Sequence, residues 1–218
     1  MQKRYILFDL DGTLTDSREG IIRSILHALN YYGIQVEDQD TLRPFLGPPL
    51  AESFQKYFNF SQEQSLEAVS YYREYFAVKG LLENRVYDGV EEMVKNLQNR
   101  GYKLFLATSK PEIYAKQIMD HFGLSPYFAF IGGATLDESR LKKADVIRYV
   151  LEENQITDMS EVVMVGDRNQ DVWGAKQNGI DVIGVLYGYG SREELEEAGV
   201  DAIAEFPEDV MNILKKQW

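Results

Sequence analysis

From residue 86 onward, short apolar runs alternate with segments of helical period, the pattern of a parallel sheet covered by helices. Strands are expected at 4–10, 102–108, 127–131, 161–166, 182–187 and 201–205. The helices between them carry stop signals: Gly101 after Val90–Arg100, Gly123 after a helix opened by Pro111, and Gly179 after Val172–Asn178. Ser191 with Glu194 makes a capping-box pattern that opens a further helix. The fold class expected is α/β, a doubly wound and mainly parallel sheet.

Residues 16–85 break this pattern, because they hold helical periodicity and no convincing strand. Ile21, Ile25 and Leu29, flanked by Ile22 and Leu26, stripe one helix that ends near Gly33; Leu66, Val69, Tyr72 and Phe76 stripe another. Tyr71, Tyr72 and Tyr75 read as packing residues. The expected organisation is a catalytic core of residues 1–15 and 86–218, interrupted by an all-helical insert over 16–85.

The chemistry concentrates where the strands end. The apolar run Tyr5-Ile6-Leu7-Phe8 leads into Asp9-Leu10-Asp11-Gly12-Thr13-Leu14-Thr15, so two carboxylates two positions apart leave one strand on the same side. Two anions so placed repel unless a cation or a proton lies between them, and a hard divalent ion answers that need. Gly12 lets the backbone turn sharply, and Thr13 adds a hydroxyl beside the charges.

The DxDGT form of this segment resembles the opening motif of the haloacid dehalogenase-like hydrolases, and three further segments match that family in order. Leu104-Phe105-Leu106-Ala107-Thr108-Ser109-Lys110 supplies a Thr ending an apolar strand, Lys142-Lys143 a lysine near a helix start, and Gly166-Asp167-Arg168-Asn169-Gln170-Asp171 an acidic segment after Val162-Val163-Met164-Val165. The first and fourth carry most of the specificity. Each motif lies at or beyond the C-terminal end of a strand, where open parallel sheets bind ligands.

The resemblance implies a Rossmann-like core, a helical cap over 16–85 and a magnesium-dependent phosphatase. Asp9 would be the nucleophile that forms an aspartyl-phosphate. Asp11 would be the general acid and then the general base, its backbone carbonyl also binding metal. Asp9, Asp11, Asp167 and Asp171 are the implied metal set, Asp171 acting directly or through water. Thr108 and the Ser109 backbone would donate to the phosphoryl group, and Lys143, with Lys142 as its competitor, would balance charge. Lys110 reaches the substrate or lies at the surface. In the cap, the stretch Arg43-Pro44-Phe45-Leu46-Gly47-Pro48-Pro49-Leu50 resembles a loop facing the substrate, with Arg43 and Gly47 as binding candidates. The whole arrangement resembles the phosphoglycolate phosphatase branch. The rivals are a 5'-nucleotidase or pyrophosphatase of the same family, a phosphoglucomutase-like phosphoryl transfer, and a non-enzymatic receiver-type or phosphate-binding module.

Composition narrows the partners. There are 23 Lys and Arg against 35 Asp and Glu, a net charge of −12 and a pI near 4.7, which disfavour nucleic acid polymers and anionic membranes. The absence of cysteine removes thiol nucleophiles and disulfides and suits a cytoplasmic protein. The run before Asp9 is too short for a signal peptide or a membrane span, so the chain is expected to be soluble, a monomer or homodimer acting on small phosphorylated metabolites. The Gly188-Tyr189-Gly190 loop reads as an ordinary turn, lacking phosphate-loop spacing. His27 and His121 read as structural.

Overall fold

Ile6, Leu7 and Phe8 are wholly buried in the computed structural model, which describes residues 2–137 and 139–217. They form most of β1 (Tyr5–Phe8), and the elements that follow are β2 (Thr15–Asp16), α1 (Arg18–Tyr31), α2 (Leu50–Phe58), α3 (Gln62–Tyr75), β3 (Arg85–Val86), α4 (Val90–Asn99), β4 (Lys103–Pro111), α5 (Glu112–His121), β5 (Phe128–Ala134), α6 (Lys143–Glu153), β6 (Val162–Gly166), α7 (Asn169–Gln177), β7 (Asp181–Val185), α8 (Arg192–Ala198), β8 (Ala202–Ala204) and α9 (Pro207–Gln217). Six strands make one sheet in the order β5-β4-β1-β6-β7-β8, and its neighbours all pair in parallel. Such a sheet is covered on both faces, which is why β6 reads as an unbroken apolar run with every residue buried.

The chain winds outward from β1 to β4 and β5, then crosses to β6, β7 and β8 on the other side. β1 and β6 are therefore neighbours at the point where the winding reverses. A crevice opens beyond the carboxyl ends of strands at such a switch point. The expected doubly wound α/β fold is present. β1 stops before the expected boundary of residue 10 because Leu10 O accepts from the N–H of Thr13, Leu14 and Thr15, closing a tight turn in place of another rung of sheet. α7 starts earlier than expected, at Asn169, because the Asp171 carboxylate caps it by accepting from Arg168 N at 3.1 Å.

The chain divides into two compact units, Met1–Thr15 with Val86–Trp218 and Asp16–Arg85. β2 and β3, two residues each, pair where the chain passes between them and carry too little sequence to be read as strands. Within the second unit α1 buries Ile21, Ile22, Ile25 and Leu29, as its stripe requires. On α3 the buried set is Ser65, Ala68, Val69 and Tyr72, and Leu66 is 48% exposed, contrary to the expected stripe. The inward face is centred one position earlier: Ser65 packs inside because its hydroxyl donates to Gln62 O and accepts from the Gln55 side-chain amide. Tyr71 stacks on Tyr31 with centroids 3.8 Å apart, and Phe45, Phe54, Phe58 and Phe60 form an aromatic cluster. Among the described residues no helix is long and apolar enough to cross a membrane.

The two leucines give a direct check of this packing. Leu29→Ala should destabilise by about 2–5 kcal/mol in urea titrations, whereas Leu66→Ala should stay within about 0.5 kcal/mol of the parent. Equal losses would contradict the assigned face of α3.

Candidate active site

Asp9 continues the direction of β1, its N–H donating to Val165 O of β6 at 2.9 Å, so its position is set by the two central strands together. The turn beyond it needs Gly12, which has φ +85° and stands so close to Asp167 that a Cβ there would lie 2.2 Å from Oδ2. From β6, Asp167 enters the same space, wholly buried. Its Oδ1 accepts from the Thr13 hydroxyl at 3.2 Å and its Oδ2 from Tyr189 N at 2.7 Å. Asp171, in the first turn of α7, is 1% exposed.

Lys143 crosses this group of acids. It is the first residue of α6, and its Nζ lies 2.8 Å from Asp9 Oδ1 and 2.8 Å from Asp171 Oδ1 while donating to Ala107 O at 3.1 Å. Its stem runs against Gly174, where a Cβ would stand 2.7 Å from Lys143 Cγ. Lys142, at the extended N-cap of the same helix, is exposed, so the structure turns Lys143 and not Lys142 to the carboxylates.

One carboxylate oxygen each of Asp9, Asp167 and Asp171 lie within 4.8 Å of one another. Three buried carboxylates with one ammonium leave an excess of negative charge in low dielectric, which is costly without a further cation. Burial, then the neighbouring Asp171 and Asp9, hold the Asp167 carboxyl well above the usual carboxylate range. Burial also pushes Asp171 up to about 6, against the pull of Lys143. Lys143 is raised despite its burial, because Asp171 and Asp9 favour its charged form. An all-oxygen donor set with excess negative charge suits a hard divalent cation. The Asp11 carboxylate is not among these donors: its Oδ2 pairs with Lys110 Nζ at 2.7 Å.

Thr108 ends the buried run of β4 and is 1% exposed, its Oγ1 accepting from Lys110 N at 3.2 Å. Ser109 is half-buried, and Lys110 is 8% exposed, so the surface alternative for Lys110 is overturned. Arg43 and Gly47 belong to the helical unit, Arg43 near Asp40 at 3.8 Å and Gly47 at φ +112°. Phe45 and Leu46 between them are 2% and 1% exposed, and Phe45 packs against Phe54, Tyr57 and Phe58 of the same unit.

Sequence reasoning passed over the Gly188-Tyr189-Gly190 loop as an ordinary turn. It is part of the site: besides the Tyr189 N–H on Asp167, Gly188 is pressed in so that a Cβ would lie 2.2 Å from Gly12 O and 2.4 Å from Asp167 Cβ. The available signal was a pair of glycines just beyond β7, next in the sheet to β6. Ser191 accepts from Glu194 N as expected of a cap, while the Glu194 carboxylate accepts from Arg168 Nε and Asn169 N at 2.8 and 2.9 Å, bracing the start of α7.

A doubly wound sheet with an Asp, Thr and Lys constellation at its switch point defines an α/β enzyme that handles an anionic group. Residues 6–185 match the family model of haloacid dehalogenase-like hydrolases, and the chain belongs to that family. It is 46% identical over 190 residues to a 5'-nucleotidase of Pseudomonas aeruginosa, covering 87% of this chain and 86% of the relative. It is 38% identical over 199 residues to the tyrosine-protein kinase PtkA of Mycobacterium tuberculosis, covering 91% of this chain and 67% of that one. A crystal structure of a predicted phosphatase from Clostridium acetobutylicum matches with a TM-score of 0.95 at 47% identity, covering 99% of this chain and all of the other. The chain is accordingly a phosphatase, a phosphoric monoester hydrolase, and the receiver-type and ligand-binding readings fall away.

The raised carboxyl groups fix a sign for the pH dependence of the metal-free protein. Folded Asp171 holds its proton up to about pH 6, whereas unfolded it releases it near 3.8. Stability from this group is therefore greatest below the lower value and is lost as pH rises through the higher one. In EDTA the protein should resist urea better near pH 5 than near pH 7, and Asp171→Asn should flatten that difference. A parent curve that rises over this window would contradict the assignment.

Proposed function

We propose that this phosphatase is Mg²⁺-dependent and cleaves small phosphomonoesters through an aspartyl-phosphate on Asp9. The observation that carries the reading is Lys143 Nζ at 2.8 Å from both Asp9 and Asp171, which places a fixed positive charge beside one strand-end carboxylate at the switch point. Asp9 and Asp167 would hold the ion, with the Asp11 backbone carbonyl and with Asp171 directly or through water. When bound, Mg²⁺ offsets the charge of the nucleophile and the phosphoryl oxygens.

In the first step an Asp9 carboxylate oxygen attacks phosphorus, the bond from phosphorus to the leaving oxygen breaks, and that oxygen takes the proton of Asp11. In the second step water attacks phosphorus, gives its proton to Asp11, and the bond from phosphorus to Asp9 breaks. Thr108 Oγ1 already accepts from Lys110 N, which leaves the hydroxyl hydrogen to donate to a phosphoryl oxygen. The Ser109 N–H is assigned to the same oxygens, and the Lys143 ammonium balances the charge.

The substrate class we favour is nucleoside 5'-monophosphates, on the 46% identity to the Pseudomonas aeruginosa 5'-nucleotidase over most of both chains. Phosphoglycolate, pyrophosphate and sugar phosphates are the comparison arms of the screen, and transfer to a sugar acceptor tests the mutase alternative. We assign the helical unit Asp16–Arg85 as the cap that selects among them, with Arg43 and Gly47 as contacts.

Asp9→Asn should fold with parental stability and not turn over, since an amide oxygen is a far poorer nucleophile. Acid quench of the native enzyme with labelled substrate should leave phosphate on the peptide containing Asp9, EDTA should abolish turnover and Mg²⁺ restore it. Comparable turnover by Asp9→Asn, or full activity in metal-free buffer, would sink the mechanism. Arg43→Ala should reorder the substrate ranking with Mg²⁺ affinity unchanged; an unaltered ranking removes Arg43 from the specificity set.

A further inference from the structure

The register of β4 against β5 breaks beside the site. Thr108 lies opposite Gly133 and Pro111 opposite Ala134, so Ser109 and Lys110 are additional residues on β4. A bulge of this kind re-aims side chains, and bulges gather next to active sites. Here it brings Lys110 Nζ to 2.7 Å from Asp11 Oδ2, with both side chains largely out of water.

The bulge is held firmly. A Cβ at Gly133 would stand 2.6 Å from Lys110 O and 2.7 Å from Glu112 Cα, so only glycine lets β5 lie this close. Arg140 fastens the same place, its Nε donating to Gly133 O at 2.9 Å, its guanidinium 3.2 Å from Glu112 Oε2 and 3.5 Å above the Tyr149 ring. The second oxygen of Asp11, Oδ1, is buried and has no hydrogen-bond partner among the described residues. The two oxygens of one carboxylate are thus chemically distinct.

We propose that Lys110 is a positioning residue that clamps Asp11 Oδ2 and so makes Oδ1 the oxygen that passes a proton to the leaving group and takes one from water. This rests on the acid/base role of Asp11 in the proposed function. Lys110 keeps its own proton throughout, and the phosphoryl oxygens are served by Thr108, Ser109 and Lys143. An unclamped aspartate rotates about its side-chain torsions and presents either oxygen at varying depth, and a misplacement of about 1 Å at a reacting centre costs on the order of 10²-fold.

The test is a double-mutant cycle of Lys110→Met and Asp11→Asn on two substrates, glycerol 2-phosphate with a poor leaving group and p-nitrophenyl phosphate with a good one. Lys110→Met is expected to lower kcat about 10²-fold on the first and only a few-fold on the second, with KM unchanged. In the Asp11→Asn background it should cost nothing more, and Lys110→Arg should recover part of the loss. Equal losses on both substrates, a loss residing in KM, or effects that multiply in the double variant would overturn the inference and make Lys110 a substrate ligand. If Lys110→Met does not fold, Lys110→Gln carries the same comparison, and its losses support or overturn the clamp in the same way. Acid-quench trapping on the native enzyme separates the layers: a phosphoenzyme with multiplying losses overturns the clamp alone, and no phosphoenzyme overturns the mechanism beneath it.

Discussion

The site depends on one buried ammonium group. Lys143 is 6% exposed and touches Asp9, Asp171 and the Ala107 carbonyl, which come from just beyond β1, the first turn of α7 and the middle of β4. Removing this ammonium would leave the buried carboxylates around it uncompensated, at a cost of about 3–5 kcal/mol. The fold is arranged to keep the lysine in place: α6 begins at that residue, and α7 presents Gly174 where any larger side chain would meet the lysine stem. The close packing of α6 on α7 and the position of the charge are one constraint.

Around Asp167 the constraint is space. Gly12 and Gly188 each bring backbone to the flanks of this carboxylate, closer than a Cβ would allow. Asp167 is consequently reached by the Thr13 hydroxyl and the Tyr189 N–H, neutral donors that fix its orientation without cancelling its charge. A carboxylate so held loses the freedom to rotate, as the orientation of a metal ligand requires. The rest of the surface follows a different rule: most ion pairs outside the site, such as Arg4 with Glu161 and Arg192 with Glu205, are exposed and worth little.

The net charge of −12 bears on function only through its exceptions. An acidic protein that acts on phosphate must place its positive charges close to the reacting group, because exposed charges farther away are screened within about 8 Å at physiological salt. Lys143 and Lys110 lie among the site carboxylates at positions 6% and 8% exposed, where screening is weak. Both are committed to carboxylates, so their fields are directed by geometry and not by the overall charge.

Much of the chain was legible without coordinates. A parallel sheet buried on both faces needs continuous apolar strands, and that pattern is local, so all six strands of the main sheet were readable along with the acidic segments beyond β1 and β6. Family resemblance supplied an order for the motifs. Tertiary structure alone decided the matters that hang on direction. Family resemblance favoured Lys143 over Lys142, but only the structure shows Lys143 against the carboxylates while its neighbour at the extended N-cap is exposed. Lys110 pairs with Asp11 because two extra residues bulge from β4, a mismatch that exists only once β5 lies alongside. Leu66 is exposed because the inward face of α3 is set by its partners, and the Gly188–Gly190 loop joins the site because β7 lies beside β6. Local pattern determined which elements form and which residues are chemically able; the aim of a side chain depends on partners distant in sequence, and only packing brings those partners near.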